Sequence, residues 1–284
     1  MDVSRARTCH LACAGGAGRL SSGHVRLRSV ALPIEHGAWG FWLEPALLGL
    51  LVAASGAGVA LVLAALAAVL LQTPLSLALS DLRRGRRYPR TALAWRWAVG
   101  YGAVMVAALT VALAVAGTAT ILVPALLATP FVGLQLVYDA RNRGREFLPE
   151  AAGAVALGSL AASVALAGGW GLPAALLLWA LLAARAVPSI LYVRARLRLE
   201  RGQTPPAWPT WAAHGATVVL VAAAAAGGVV PWLATLPYLV LGFRAVLGVS
   251  RRRVSVSARA VGFREIGFGA MTVVLLALAF ATNP

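Results

Sequence analysis

Two ionisable side chains lie deep inside apolar stretches of the sequence, where a charge needs either a partner or water. Glu44 lies about two turns into the first such stretch, and Arg185 lies ~13 Å before Arg194 along a helix. Ser189 and Tyr192 follow Arg185 at helical spacing and therefore share its helix face. We predict either a buried Glu44–Arg185 ion pair that joins two helices, or an Arg185 that binds an anionic ligand.

Imidazole and carboxyl groups are the side chains that most often carry acid–base chemistry. The candidates for this role are His36, Glu44, Asp81 and Asp139. A structural alternative exists for two of them, because His36 could cap a helix near the lipid headgroups and Glu44 could serve only in pairing. Cys9, with His10 and Cys13 nearby, lacks the further ligands of a zinc site, so we assign no metal ligands.

Three apolar stretches end in a similar arginine-rich turn that contains a glycine: Gly85, Gly144 or Gly202. Guanidinium groups bind phosphate oxygens well, so these turns could line the mouth of an anion-binding site. Ordinary helix C-termini and contacts with anionic lipid headgroups use the same residue types. The predicted substrate-binding residues are Gln72, Arg83, Arg84, Tyr138, Arg141, Arg143, Arg185, Ser189, Tyr192 and Arg194.

Three other polar residues within the last apolar stretches receive structural interpretations. Arg244 lies about two turns before the run Arg251-Arg252-Arg253. Glu265 is interpreted as an acid in the first turn of a helix, where it favours the helix dipole. His214 follows a proline-rich link and is interpreted as an anchor at the membrane interface.

The composition of the chain excludes a water-soluble protein. The 284 residues are 60% hydrophobic and only 12% charged, and the mean hydropathy is +0.81. Soluble domains carry about 25% charged residues. Intrinsic disorder requires low hydrophobicity and is excluded as well. The remaining class is an all-α, multi-pass membrane protein, because continuous Ala- and Leu-rich stretches do not alternate as barrel strands do.

The distribution of arginine predicts the membrane topology. All 25 basic residues are arginine, and they precede the first apolar stretch or end or follow every second one. This pattern predicts nine transmembrane helices, with the N-terminus in the cytoplasm and the C-terminus outside. The predicted spans cover residues 37–54, 57–79, 96–116, 118–138, 151–168, 172–193, 213–230, 231–249 and 265–282.

The predicted spans divide the chain into a tail and a transmembrane domain. Residues 1–31 are predicted to form a disordered cytoplasmic tail, and residues 32–284 form one nine-helix transmembrane domain. The topology also explains the strongly basic charge of +16, so we predict contacts with membrane lipids and no binding of nucleic acid.

Several segments resemble the YwiC-like family of bacterial membrane proteins. They are the residues from Pro33 to Gly40, the residues from Arg185 to Arg196, and Gly262-Phe263-Arg264-Glu265. The resemblance implies a multi-pass protein of the bacterial inner membrane. It implies no established activity.

The architecture of that family is similar to the UbiA superfamily of intramembrane prenyltransferases. The similarity implies nine helices around a cavity that opens to the cytoplasm. Superfamily members hold Mg²⁺ and a prenyl diphosphate with Asp-rich motifs, and Tyr138-Asp139-Ala140-Arg141 resembles their phosphate-binding element after the fourth helix. The two Asp-rich motifs are replaced here by arginine-rich segments with one acid each, Asp81 and Glu200. The cofactor therefore stays unknown.

Two functional hypotheses follow. In the first, a cytoplasm-facing polar cavity binds or modifies an isoprenoid, a quinone-type molecule or another lipid with an anionic head. An enzyme of this kind would be a prenyltransferase-type transferase. In the second, the protein is non-catalytic and serves in lipid binding, transport or as a scaffold for a membrane complex. A buried Arg185 held by a carboxylate favours the scaffold, and a wide polar cavity favours ligand binding.

Overall fold

The computed structural model describes residues 36–85, 88–141, 143–250 and 253–282. The predicted tail, residues 1–31, lies outside them. The described secondary structure consists of ten α-helices and two short 3₁₀ turns, Thr120–Leu122 and Trp232–Thr235. The helices are α1 (His36–Val52), α2 (Gly56–Arg83), α3 (Pro89–Ala116), α4 (Val123–Leu127), α5 (Thr129–Ala140), α6 (Phe147–Ala167), α7 (Leu172–Glu200), α8 (Trp208–Ala226), α9 (Leu236–Val249) and α10 (Ala258–Thr282).

Local sequence signals set the ends of these helices. The Ser55 hydroxyl accepts a hydrogen bond from the Gly58 amide (3.0 Å) and caps the start of α2. Helix α3 begins at Pro89 and is followed by Gly117, whose left-handed φ of 65° is unfavourable for a residue with a side chain. Most of each apolar stretch expected from the sequence lies within a helical segment.

Eight helical segments of the described chain are long and apolar enough to cross a membrane. Two of them combine a 3₁₀ turn with the helices that follow it, over Thr120–Ala140 and Trp232–Val249. Helix α1 has 17 residues and a length of ~25 Å, which is short of the ~30 Å hydrocarbon core. The structure thus supports a multi-pass membrane protein with eight candidate spans, and the predicted count of nine is not confirmed.

Six helices close into a ring in the order α6, α7, α8, α9, α10 and α1, each packed against the next. Helix α1 completes the ring by packing against both α10 and α6. Close approach depends on small residues: a Cβ on Gly49 of α1 would lie 2.8 Å from the Val164 Cβ of α6. The first and last helices of the described residues are therefore neighbours.

The remaining helices lie outside the ring, and α2, α4 and α5 pack against α6. Helices α2 and α3 form a long antiparallel hairpin, and α5 packs against α6 with no residue of its own buried. Helix α3 packs almost entirely on α2. We call the end of the bundle where α2, α5, α7 and α9 finish the arginine-rich end.

The interior of the ring differs between its two ends. Toward the opposite end it is filled by an apolar cluster that includes Leu48, Leu178, Leu181, Tyr238 and Leu276, all buried. Toward the arginine-rich end, the buried side chains include charged and polar residues of three ring helices: Arg185 and Ser189 of α7, His214 of α8 and Arg244 of α9. This polar part of the ring interior contains several of the residues predicted from the sequence.

Candidate functional site

Helix α7 presents Arg185, Ser189 and Tyr192 to the ring interior, and all three are buried. Arg185 Nη2 lies 3.0 Å from Glu44 Oε1 of α1, and only 4% of the Arg185 side chain is exposed. The same Nη2 donates to the backbone carbonyl of Glu265 on α10 (3.4 Å). The predicted Glu44–Arg185 ion pair is therefore confirmed, and it joins three helices.

Arg244 of α9 is a second buried guanidinium in the same interior. Its Nη1 lies 2.6 Å from each carboxylate oxygen of Glu265. Its Nη2 donates to Ser189 Oγ and to His214 Nε2, both at 3.4 Å. The guanidinium carbon lies 4.0 Å from the centre of the Tyr192 ring. Arg244 thus connects α7, α8, α9 and α10 by charge, hydrogen bonds and a cation–π contact.

Two structural interpretations of the sequence are wrong at this point. Glu265 lies about two turns into α10 and binds Arg244, so it does not cap the first turn. His214 is 5% exposed and is not an interfacial anchor. Its Nδ1 lies 2.8 Å from the Thr210 carbonyl oxygen, so Nδ1 carries the proton and Nε2 accepts from Arg244. Both errors arose because the sequence does not show which helices meet.

Two glycines make room for these side chains. A Cβ on Gly269 of α10 would lie 2.7 Å from Glu44 Cδ and 2.9 Å from Arg185 Nη2. A Cβ on Gly248 of α9 would lie 2.6 Å from Tyr192 Cε2. The backbones of α9 and α10 therefore pack directly on the polar residues. We call Glu44, Arg185, Arg244, Glu265 and His214 the ring network.

The first predicted acid outside the ring, Asp81, is held within the α2–α3 hairpin. Its side chain is 1% exposed. Arg90 donates from Nε (3.3 Å) and Nη2 (3.0 Å) to its two oxygens, and Thr91 Oγ1 lies 2.7 Å from Oδ2. Neighbouring Arg83 and Arg84 are exposed. Asp81 therefore connects two helices that are adjacent in the chain.

The second arginine-rich turn follows α5. Arg143 binds Glu146 through Nε (2.5 Å) and Nη2 (2.9 Å), and its guanidinium carbon lies 5.4 Å from the centre of the Tyr138 ring. The Glu146 carboxylate raises the pKa of Arg143 above its ordinary value. The carboxylate of Asp139 lies against Gly144, and Arg141 is exposed. This turn is a surface element with its own internal pairing.

The remaining predicted residues lie in separate places. Arg194 Nη1 binds Glu150 Oε2 (2.8 Å) and the Arg145 carbonyl (2.9 Å), which ties α7 to the start of α6. Gln72 is exposed on α2, although it lies within a candidate span. His36 begins α1, but its side chain lies outside the described residues. The predicted residues are thus not brought to one site: some lie in the buried interior of the ring, Asp81 lies in the α2–α3 hairpin, Arg194 ties α7 to α6, and others are exposed on or just after α2 and α5.

The carboxylates do not fit the magnesium site that the UbiA resemblance would imply. Both oxygens of Asp81 are engaged by Arg90 and Thr91. Glu200 accepts a hydrogen bond from Ser255 Oγ (2.6 Å) and pairs with Arg196 (2.7 Å). Within the described ranges, no three His, Cys, Asp or Glu residues are grouped as a metal site would need.

A family model described as "YwiC-like protein" matches residues 32–165. Over this segment the chain is similar to the YwiC-like family. No curated protein matches the chain, and no solved structure matches it. The YwiC-like segment runs from the start of α1 almost to the end of α6, and it includes Glu44 and Asp81. Arg185, Arg244 and Glu265 follow this YwiC-like segment, so the ring network joins it to the rest of the chain.

Proposed function

We propose that the protein resides in a bacterial inner membrane and binds an amphiphile with an anionic head, such as an isoprenoid or another lipid. The binding site is a cleft between α2 and α6 that opens at the arginine-rich end, on the cytoplasmic side. In this proposal the helices are arranged as in the UbiA superfamily. The protein binds its ligand without transferring a prenyl group.

One observation carries this proposal: the face of α2 that packs on α6 becomes progressively uncovered. Gly58 packs against Val164 of α6 and is buried, as is Leu61 one turn later. Farther along the same helix face, Ala68 and Gln72 are exposed. These positions share one face because their spacing follows the helical period. An exposed amide within a candidate span is costly in lipid, so a hydrated or ligand-filled cleft is the better environment.

The same face of α2 continues to the arginine-rich end. Ser76 and Arg83 extend it and are exposed, and Arg84 follows. Helix α5 also packs against α6 and finishes at this end, where it carries Tyr138 and is followed by the exposed Arg141. Apolar walls with guanidinium groups at the opening suit a molecule with a hydrocarbon body and a phosphate or carboxylate head.

The hydrogen bonds of the Asp81 carboxylate favour ligand binding over prenyl transfer as the function. Ionisation of an allylic diphosphate needs groups that neutralise the leaving phosphates, and Mg²⁺ held by carboxylates is the superfamily's solution. Asp81 is enclosed by Arg90 and Thr91 and offers no open oxygen for a metal. The exposed arginines can still hold an anionic head without a metal.

A scaffold role is the second candidate, and the ring network favours it. Arg185 and Arg244 are each held by a glutamate from another helix, as expected of residues that lock a bundle. In this case the arginine-rich turns would contact bulk lipid headgroups only.

Lipid identification by native mass spectrometry separates the two roles. We expect one class of anionic amphiphile to co-purify with the full chain in mild detergent. The R83A/R84A variant should lose this lipid, and Arg145→Ala, an exposed change in another turn, should retain most of it. Co-purification of bulk phospholipid alone, equal in all three proteins, would refute the binding role and favour the scaffold.

Cysteine labelling tests the cleft itself. With Cys9 and Cys13 changed to serine, we expect Gln72→Cys to react with a membrane-impermeant maleimide in vesicles that expose the arginine-rich end. Val104→Cys, an exposed position on the outer helix α3, should stay unreactive because it faces lipid. Equal protection of both cysteines would show that Gln72 also faces lipid, and the cleft would be rejected.

A further inference from the structure

Helix α1 has two functional faces. Glu44 and Leu48 point into the ring, where Leu48 belongs to the apolar cluster of the ring interior. On the other face, Ala46 is buried in a cluster with Leu61 of α2, and Trp42 packs against this cluster. The second cluster lies where the covered part of the α2 face ends. Trp42 therefore lies at the inner end of the proposed cleft, opposite Glu44 on the same helix.

We infer that Glu44 and Arg185 form a positioning pair, which holds α1 so that Trp42 closes the inner end of the cleft. This inference rests on the proposed function, because it assigns a role in the cleft to a contact on the far side of α1. Arg185 is a positioning residue in this scheme and does not contact the ligand. The substitution of either partner should change access to the cleft without touching its walls.

Three features make the pair suited to this role. The Arg185 side chain is 4% exposed and the Glu44 side chain is 14% exposed, so water weakens their electrostatic attraction little. Arg185 also binds the Glu265 backbone carbonyl, which ties α1 to α10 through one guanidinium. The pair packs directly against Gly269, because any side chain at this position would collide with both Glu44 and Arg185. The position of α1 is thus set by a specific contact in addition to general packing.

Trp42 supplies the link to the cleft. Its indole Nε1 is buried and has no hydrogen-bond partner within the described chain, so apolar packing alone holds the ring in place. A shift of α1 would therefore move Trp42 without breaking any described hydrogen bond of its side chain. Glu44 and Trp42 are two residues apart, and they move together because they belong to one helical turn.

The test compares labelling rates at two reporter cysteines in the full chain, with Cys9 and Cys13 changed to serine. Gln72→Cys reports access to the cleft, and Ala165→Cys reports general loosening, because Ala165 is fully buried in the ring. Each reporter is combined with Glu44→Gln, with Arg185→Gln, with the charge swap E44R/R185E, and with Gly269→Ala. Gly267→Ala is the matched control, since a Cβ at Gly267 meets nothing within 4 Å.

We expect Glu44→Gln, Arg185→Gln and Gly269→Ala to raise the labelling rate of the Gln72→Cys reporter by about fivefold or more. The charge swap should restore much of the original rate, and Gly267→Ala should leave it unchanged. The Ala165→Cys reporter should stay protected throughout. If the labelling rates of both reporter cysteines rise equally, or if neither rate changes, the Glu44–Arg185 pair only stabilises the bundle and the inference is wrong.

The same experiment separates this inference from the proposed function. If Gln72→Cys is unreactive in the otherwise unchanged protein, the cleft itself is absent and the proposed function fails. If Gln72→Cys reacts but does not respond to the pair, the proposed function stands and the positioning role is rejected.

Discussion

The ring and the α2–α3 hairpin use arginine in opposite ways. In the ring, Arg185 and Arg244 are buried, and each binds a glutamate on another helix. In the hairpin, Arg83 and Arg84 are exposed at the end of α2, and the one buried acid is bound from the neighbouring helix. The Glu44–Arg185 pair joins helices that are distant in the chain, whereas the Asp81–Arg90 pair joins helices connected by a short turn.

This difference shows that arginine content alone does not identify a site. A buried guanidinium with a carboxylate partner is an internal contact, and breaking it leaves a charge without compensation. An exposed guanidinium at a helix end contributes little to stability and is free to meet a headgroup or ligand. The two regions should therefore respond differently to substitution.

The largest effect should follow from the loss of Arg244. Arg244→Gln leaves the Glu265 carboxylate buried without its main partner, which costs about 3–5 kcal/mol of the free energy of unfolding. Unfolding in mixed micelles by titration with denaturing detergent measures this loss. The double variant R244Q/E265Q should recover more than half of it, because neither charge is then left alone. Equal stability of single and double variants would contradict the pairing.

A smaller loss should follow from Gly248→Ala. The added Cβ would press on the Tyr192 ring, which lies beneath the Arg244 guanidinium. We expect a cost of about 1–3 kcal/mol from overpacking. Gly242→Ala on the same helix is the control, since its Cβ would lie 3.7 Å from Val218 Cγ2 in ordinary contact. The prediction fails if the two alanine variants unfold at the same detergent concentration.

The hairpin should be less sensitive than the ring. Asp81→Asn weakens the bond to Arg90 but preserves the shape of the side chain, and extensive α2–α3 packing remains. We expect a smaller loss of stability than for Arg244→Gln, together with faster proteolysis at the turn between α2 and α3. Thr91→Val tests the same contact between α2 and α3, because it removes the 2.7 Å hydrogen bond that Thr91 donates to Asp81. If Asp81→Asn lost as much stability as Arg244→Gln, the hairpin would be as sensitive as the ring and the prediction would be wrong.

The smallest effect on stability should come from R83A/R84A. Both side chains are exposed, so the temperature of unfolding should not change measurably. The amount of co-purified anionic lipid should nevertheless fall, because these residues lie at the proposed opening of the cleft. Destabilisation without a loss of lipid would reverse the assignment and make these arginines structural.

Much of the helical architecture could be predicted from residue pattern. Long runs of alanine and leucine predicted the helical segments, and the embedded Glu44 and Arg185 predicted their own pairing, because isolated charges in a membrane need partners. The closure of the ring could not be predicted in this way. It depends on which helices meet, and the apolar surfaces of membrane helices look alike in sequence.

The misassigned residues show where local reasoning stops. Glu265 and His214 each had a sufficient explanation near a helix end, and their actual partner, Arg244, comes from a third helix. The position of Arg244 two turns inside its stretch was the available signal. An embedded arginine without an assigned partner should have prompted a search for a distant carboxylate.

The separation of Glu44 and Arg185 in the chain has a consequence for biosynthesis. Translation proceeds at about 5–20 residues per second, so Arg185 leaves the ribosome on the order of ten seconds after Glu44. During this interval the first helix carries an uncompensated acid and cannot settle in its final place. Glu265 follows later still, so the ring closes only near the end of synthesis. We therefore expect α1 to reach its final position only after Arg185 has been synthesised.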